Sequence, residues 1–184
     1  VNRGYLANAE EARIRGIELD GNSRLSKNFS IYGAFAYTEG KYISFKNAPV
    51  PLEETGAASA FKDISGGDLP GISKWSGSLS TEYSTTATLF NKVGKFFIAV
   101  DGYYRSDFSS SPSPSKYLNV DGYFLLNGRL GFKATNGLSA FIWGRNILNK
   151  DYFEQLLPAA GNAGHYAAVL GDVRTFGVTL RYTY

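Results

Sequence analysis

The sequence predicts an all-β protein: an antiparallel transmembrane β-barrel, of which these 184 residues supply about seven strands. Three observations carry that prediction. Segments of roughly 10–13 residues alternate apolar and polar side chains, against about 5–6 for a globular strand and 9–11 for a tilted membrane-spanning one. The connections between them alternate short and long, as a barrel with turns on one side of a membrane and loops on the other requires. Aromatic residues gather near the two ends of the strands, where membrane–water interfaces would lie.

Composition agrees. Tyr and Phe number 13 each and Gly 21, a mixture that favours strands and tight turns over helices. There is no Cys, so disulfides, thiolate metal sites and thiol nucleophiles are excluded. The net charge of +3 is small and scattered, which leaves nucleic acid without a binding patch. A mean hydropathy of -0.19 reads as soluble, but a membrane barrel alternates lipid-facing and lumen-facing residues, and the two cancel.

The strands follow in order. Near 12–22, Ile17 and Leu19 oppose Glu18 and Asp20. Over 29–40, Phe29, Ile31, Phe35 and Tyr37 oppose Ser30 and Thr38. Over 74–85, Trp75, Leu79 and Tyr83 oppose Ser76, Ser78, Ser80 and Glu82. Over 95–105, Phe96, Ile98, Val100 and Tyr104 oppose Asp101 and Arg105. Over 122–134, Phe124, Leu126, Leu130 and Phe132 oppose Asn127, Arg129 and Lys133. Strand 138–147 is ambiguous, because Phe141 and Trp143 share parity with Arg145; Leu138, Ala140 and Ile142 are expected to face lipid. In the last segment Phe176, Val178, Leu180, Tyr182 and Tyr184 alternate with Gly177, Thr179, Arg181 and Thr183. The connections are then 23–28, 41–73, 86–94, 106–121, 135–137 and 148–171. Two aromatic belts are expected, Tyr37, Trp75, Tyr103, Tyr104, Tyr123, Phe124 and Phe176 at the long-loop end. Phe29, Tyr83, Phe96, Phe97, Phe132, Tyr182 and Tyr184 form the other.

An odd strand count puts the two termini on opposite sides of the membrane, whereas single-chain bacterial barrels have even counts and tolerate no open edge in hydrocarbon. The expectation is a fragment of a larger barrel.

At the C-terminus the motifs become specific. Gly144-Arg145-Asn146-Ile147-Leu148-Asn149-Lys150-Asp151-Tyr152 resembles the "N-L-F-D-K-x-Y" stretch before the last loop of TonB-dependent outer-membrane receptors. Gly171-Asp172-Val173-Arg174-Thr175-Phe176, continued to Tyr184, resembles their terminal "G-x-P-R-T-F" strand, with Val173 in place of Pro and Tyr184 in place of Phe. Upstream, Arg15-Gly16-Ile17-Glu18 resembles "R-G-x-E", and Leu69-Pro70-Gly71 before Lys74-Trp75-Ser76 resembles "L-P-x-x-P-x-W". The resemblance implies a barrel of about 22 strands, here its C-terminal portion over residues 1–184, in the outer membrane of a Gram-negative bacterium. It implies a plug domain and TonB box outside this sequence. Its implied partners are the TonB complex through that N-terminal region, the barrel assembly machinery, outer-membrane lipid and a metal-chelate ligand, usually a ferric siderophore. A passive porin, or a small outer-membrane barrel with an adhesive or enzymatic role, is the alternative.

Candidate ligand contacts are the loop residues Tyr42, Phe45, Lys46, Tyr117, Tyr152, Phe153, His165 and Tyr166, since aromatics suit organic chelates and Lys suits anionic ones. His165 is the only histidine and lacks a second spaced ligand, so no metal site is expected. No cofactor is expected either. Glu53-Glu54 adjoin in a loop, which gives no acid/base pair, and no G-x-S-x-G nucleophile motif occurs, so no catalytic group is assigned. Arg145, Asn146 and Arg174 read as loop-holding residues ahead of anion binders. By the family resemblance, Phe176, Val178, Leu180, Tyr182 and Tyr184 form the C-terminal signal for barrel assembly.

Overall fold

The structure, a computed structural model, describes residues 8–159 and 164–184. In chain order the strands are β1 (Glu11–Arg24), β2 (Phe29–Ser44), β3 (Ala48–Pro49), β4 (Phe61–Lys62), β5 (Trp75–Leu89), β6 (Lys92–Arg105) and β7 (Phe108–Ser109). There follow β8 (Asn119–Val120), β9 (Tyr123–Ala134), β10 (Leu138–Arg145), β11 (Phe153–Pro158), β12 (Tyr166–Leu170) and β13 (Thr175–Tyr182). Among the described residues one 3-10 turn, Leu52–Glu54, interrupts them. The seven long strands form one open antiparallel sheet in the order β1-β2-β5-β6-β9-β10-β13. These are the strands the sequence predicts, each hydrogen-bonded to the next in the chain.

The register explains why the alternation is so regular. Directly opposed residues share a face, and one face can be followed across the whole sheet. Leu19 opposes Phe35, Gly33 opposes Leu79, Tyr83 opposes Ile98, Ile98 opposes Leu130, Leu130 opposes Ile142, and Ile142 opposes Val178. That face is apolar throughout its middle. At its free edge Phe176, Val178 and Leu180 are 67, 69 and 75% exposed, an apolar expanse that water does not accommodate and lipid does. The register also settles β10: Ala140 stands between Phe132 and Leu180, so Leu138, Ala140 and Ile142 do face lipid.

The opposite face carries Glu82, Asp101, Asn127, Arg129, Lys133 and Arg181, and forms the lumen side. Here the expected aromatic belts need correcting. Tyr37, Trp75, Tyr104, Phe124 and Phe176 belong to the lipid face, with Trp75 stacked on Tyr37 at 4.4 Å. Tyr103, Tyr123 and Phe97 have the other parity and look into the lumen, where Tyr103 meets Tyr123 at 6.2 Å. Height along the strand suggests a belt; parity decides the face.

Glycines sit where rings must lie flat. Gly131 opposes Phe141, Gly144 opposes Phe176 and Gly177 opposes Trp143. A Cβ on Gly144 would meet the Phe176 ring at 2.8 Å, and one on Gly177 would fall against the Trp143 indole. Each ring covers its cross-strand glycine and shields the backbone there.

The turns on one side are 25–28, 90–91 and 135–137; the loops on the other are 45–74, 106–122 and 146–174. The second turn is much tighter than the expected 86–94. Phe90 and Asn91 take φ of 48° and 58°, the type I′ pattern whose twist matches a hairpin, so both strands run on almost to the tip. The loops in turn are not featureless: β3 pairs β4, β7 pairs β8 and β11 pairs β12 within them.

Candidate functional site

The three long loops carry the candidate ligand residues, and the first question is what fixes them. Loop 45–74 has a small core of its own: Tyr42, Phe45, Ala48 and Ile64 are buried, with Leu69 packed alongside. Tyr42 and Phe45 touch at 5.1 Å. These two candidates are therefore interior packing residues, and Tyr42, expected on the loop, stands on the end of β2, because pairing with β1 carries that strand on to Ser44. Lys46 is exposed beside them, its backbone N–H donating to Glu10 Oε2 at 3.2 Å.

Hydrogen bonds then join one loop to the next. The N–H of Gly71 donates to the Ser109 carbonyl at 2.8 Å, and the Arg105 guanidinium donates to the Gly71 carbonyl at 2.7 Å and to Ser73 Oγ at 2.6 Å. The same guanidinium lies 3.7 Å over the Phe108 ring. The Ser113 hydroxyl donates to the Pro49 carbonyl. Loops 106–122 and 146–174 are joined by the Leu156 N–H donating to Ser110 Oγ at 3.1 Å.

Glu53 ties all three loops together. Its Oε2 accepts from the Tyr166 hydroxyl at 2.7 Å, and its Oε1 accepts from the Lys116 N–H at 2.9 Å. Burial pushes the Glu53 carboxyl up. Hydrogen bonds from Tyr166, its own backbone, Ser115 and the Lys116 backbone outweigh that and hold it down, at about 2. The complementary effect acts on Tyr166, whose hydroxyl is raised by desolvation and then by the Glu53 carboxylate it serves. Tyr166 also meets Tyr117 at 5.3 Å, and the Lys116 ammonium stands 4.9 Å from the Tyr117 ring. Sequence reading set Glu53 aside as half of an unsupported carboxylate pair; the signal for its role lies 113 residues away at Tyr166.

The base of loop 146–174 is stapled by Asn146, buried and at φ 47°. Its Nδ2 donates to the Lys150 carbonyl at 2.8 Å and to the Asp172 carbonyl at 3.0 Å, while its Oδ1 accepts from the Lys150 N–H at 2.9 Å. Holding the loop is thus what Asn146 does. Arg145 and Arg174 lie over the rings of Trp143 and Phe176 at 5.4 and 5.9 Å. Tyr152 stacks on Tyr123 at 4.4 Å, its hydroxyl accepting from the Asp172 N–H at 3.2 Å, and its ring covers Gly171.

The eight candidates therefore divide. Tyr117 and Tyr166 are brought together at the meeting of the loops, with Glu53 and Lys116, which were not among the eight. Tyr152 belongs to the base of loop 146–174, and Phe153 is half exposed on β11. His165 is exposed beside Tyr166, its carbonyl accepting from the Ala159 N–H at 2.9 Å. Among the described residues there is no group of three or more His, Cys, Asp or Glu placed to hold a metal ion. What the arrangement offers is a preformed rim of aromatic faces with cations beside them, suited to holding a bulky organic ligand by stacking and charge.

Residues 1–147 match a family model described as TonB dependent receptor-like, beta-barrel. Among solved structures, the chain resembles the ferric yersiniabactin uptake receptor FyuA from Yersinia pestis, at 15% identity and a TM-score of 0.70, over 93% of this chain and 23% of that one. It also resembles the siderophore receptor PiuA from Acinetobacter baumannii, at 14% identity and a TM-score of 0.66, over 94% of this chain and 22% of that one. At such identities the likeness is one of fold, and the chain spans less than a quarter of either receptor. No curated protein matches the chain.

Proposed function

The chain belongs to the TonB-dependent receptor β-barrel family, and on that premise we propose that it forms wall and outer rim of a receptor importing a ferric siderophore or similar metal chelate. The observation that carries the reading is the rim itself. Three loops on one side of the sheet are joined through Glu53, Ser113 and Ser110 into a single body before any ligand arrives. A preorganised surface loses little freedom on binding, so more of its contact energy appears as affinity. Tyr117, Phe153 and Lys46 are the exposed side chains offered to the chelate, with Tyr166 and His165 beside them. Tyr42 and Phe45 shape the loop from within. The two similar structures, an uptake receptor for ferric yersiniabactin and a siderophore receptor, support a ferric chelate as the cargo class.

In this reading the plug and the TonB-contacting segment lie outside residues 1–184, and the chain sits in a Gram-negative outer membrane. The exposed Phe176, Val178, Leu180, Tyr182 and Tyr184 serve first as the assembly signal and then as lipid contacts. The test is a deletion strain grown under iron limitation with a panel of ferric chelates, alongside binding to the purified full-length receptor. Saturable binding of one chelate class, with growth that depends on both the receptor and TonB, is expected. Growth independent of TonB would favour a passive channel.

A further inference from the structure

The β5–β6 hairpin runs on past the neighbour that should flank it. β5 pairs with β2 only as far as Phe29↔Tyr83, closed by the Ser84 N–H donating to the Asn28 carbonyl at 2.7 Å, yet it stays paired with β6 to Leu89↔Lys92. Residues 84–89 add about 20 Å of strand. At a tilt of about 35–45° they carry the tip about 15 Å beyond the turn 25–28. This gap is internal to the sheet, since β2 and β5 both flank it. Ser84 points its N–H towards β2, so by the two-residue period Thr86 and Thr88 point theirs the same way, past the end of β2. Among the described residues nothing pairs with that edge.

Exposed edges are ordinarily guarded by a charge, a Pro or a bulge. Residues 84–89 carry none of these, keep an unshifted register with β6, and hold Thr85, Thr86 and Thr88, which favour extended backbone. The surroundings are apolar and cationic. At the tip Phe90, where a hairpin turn ordinarily takes Asn, Asp or Gly, is 91% exposed, and Leu25 in the adjacent turn is 63% exposed. Lys27, Lys92 and Lys95 stand around the edge, residues 24–29 and 84–97 contain no Asp or Glu, and none of the three lysines has an ion-pair partner among the described residues.

We infer that the free edge of β5 takes up an extended, acidic peptide segment of a periplasmic protein as an added strand, in the place that β2 leaves empty. Main-chain hydrogen bonds to Thr86 and Thr88 supply the ladder, and the two faces of the hairpin set the side-chain pattern. One face carries Thr86, Thr88 and Lys95, which suits carboxylates; the other carries Ala87 and Leu89, which suits apolar side chains. Acidic and apolar residues therefore alternate along the segment. The inference rests on the barrel reading, which puts the short turns in the periplasm, and not on which ligand is imported.

The probe is a fluorescently labelled synthetic peptide of about eight residues alternating Glu and Val, titrated into the detergent-solubilised full-length receptor. Saturable binding is expected, at least tenfold weaker for a peptide with Lys in place of Glu. N-methylation of one alternate set of peptide amides, the set facing β5, should weaken binding at least tenfold, and of the other set should not. Thr86→Pro deletes an outward N–H and should weaken binding at least tenfold, whereas Thr86→Val keeps the N–H and should not; an edge position tolerates Pro where its N–H faces solvent. If Thr86→Pro fails to assemble, the N-methylated peptides make the same test on the unaltered receptor. No saturable binding, equal binding of acidic and basic peptides, or binding indifferent to N-methylation and to Thr86→Pro would overturn the inference and leave a solvated edge. Chelate binding is measured on the same Thr86→Val protein, so loss of the import reading and loss of this one are separate results.

Discussion

Replacing Glu53 by Gln removes one charge from the point where three loops meet, and the consequence can be worked from its contacts. The carboxylate accepts from the Tyr166 hydroxyl at 2.7 Å and the Lys116 N–H at 2.9 Å. A hydrogen bond to a charged group contributes about 1.5–3 kcal/mol and a neutral one about 0.5–1.5. The amide keeps one acceptor, so one bond weakens and the other is lost, together about 2–3 kcal/mol if the site were dry. The site is open to water on one side, and screening reduces this to about 1–2 kcal/mol. That raises the open population of the loops about 5–30-fold. Amide hydrogen exchange in the full-length receptor reads it directly: Lys116 should lose protection by that factor, while Ile98 and Leu130 in the sheet stay unchanged. The pH dependence has a definite sign. A carboxyl held down from 4.5 to about 2 adds stability that is complete above 4.5 and is lost as pH falls through 2, so the latch should be unaffected between pH 7 and 5. Unchanged Lys116 protection in Glu53→Gln, or loosening spread through the sheet, would refute the reasoning.

Other substitutions probe other parts of the account. Gly177→Ala pushes the Trp143 indole off the strand and breaks its 3.2 Å bond to Thr179 Oγ1; in a receptor whose other tryptophans are replaced by Phe, the Trp143 emission should shift to the red. Asn146→Ala removes three loop-holding hydrogen bonds at a residue with φ 47°; loop 146–174 should become the first site of proteolytic nicking, and Asn146→Gly, which relieves only the backbone, should not restore resistance. Ala99→Leu overfills the space beneath the Glu82–Arg129 pair, at a cost of about 1–3 kcal/mol, and should lower the urea midpoint of the folded receptor more than Ala36→Leu, which is half-buried and apart from that pair.

Alternation made most of the wall legible. Leu19, Leu79 and Leu180 announce their face because each has polar neighbours on both sides in the chain. The ambiguity of β10 came from two rings, Phe141 and Trp143, that face the lumen to cover Gly131 and Gly177; only the partner strands reveal that. Tyr103, Tyr123 and Phe97 misled in the same way, since an aromatic near a strand end looks like a belt residue whichever way it points. The rim was less legible. Two-residue ribbons such as β3 and β7 are too short to have a period, and the bonds that matter link residues far apart in the chain. Tyr42 and Phe45 read as loop aromatics, and nothing local tells that they pack inward on Ala48 and Ile64 while Tyr117 stays outside.

The account stands or falls on the sheet crossing the membrane with its long loops outside. Residues 1–184 contain no Cys, so single cysteines placed there report cleanly once any cysteine elsewhere in the receptor is replaced by Ser. Asn47→Cys, exposed in the first loop, and Asn136→Cys, exposed in a short turn, should be treated on whole cells with a maleimide too bulky for porins. Labelling of position 47 on intact cells, and of position 136 only after the outer membrane is opened, is the predicted result. Labelling of 136 on intact cells, or of neither site until opening, would contradict it.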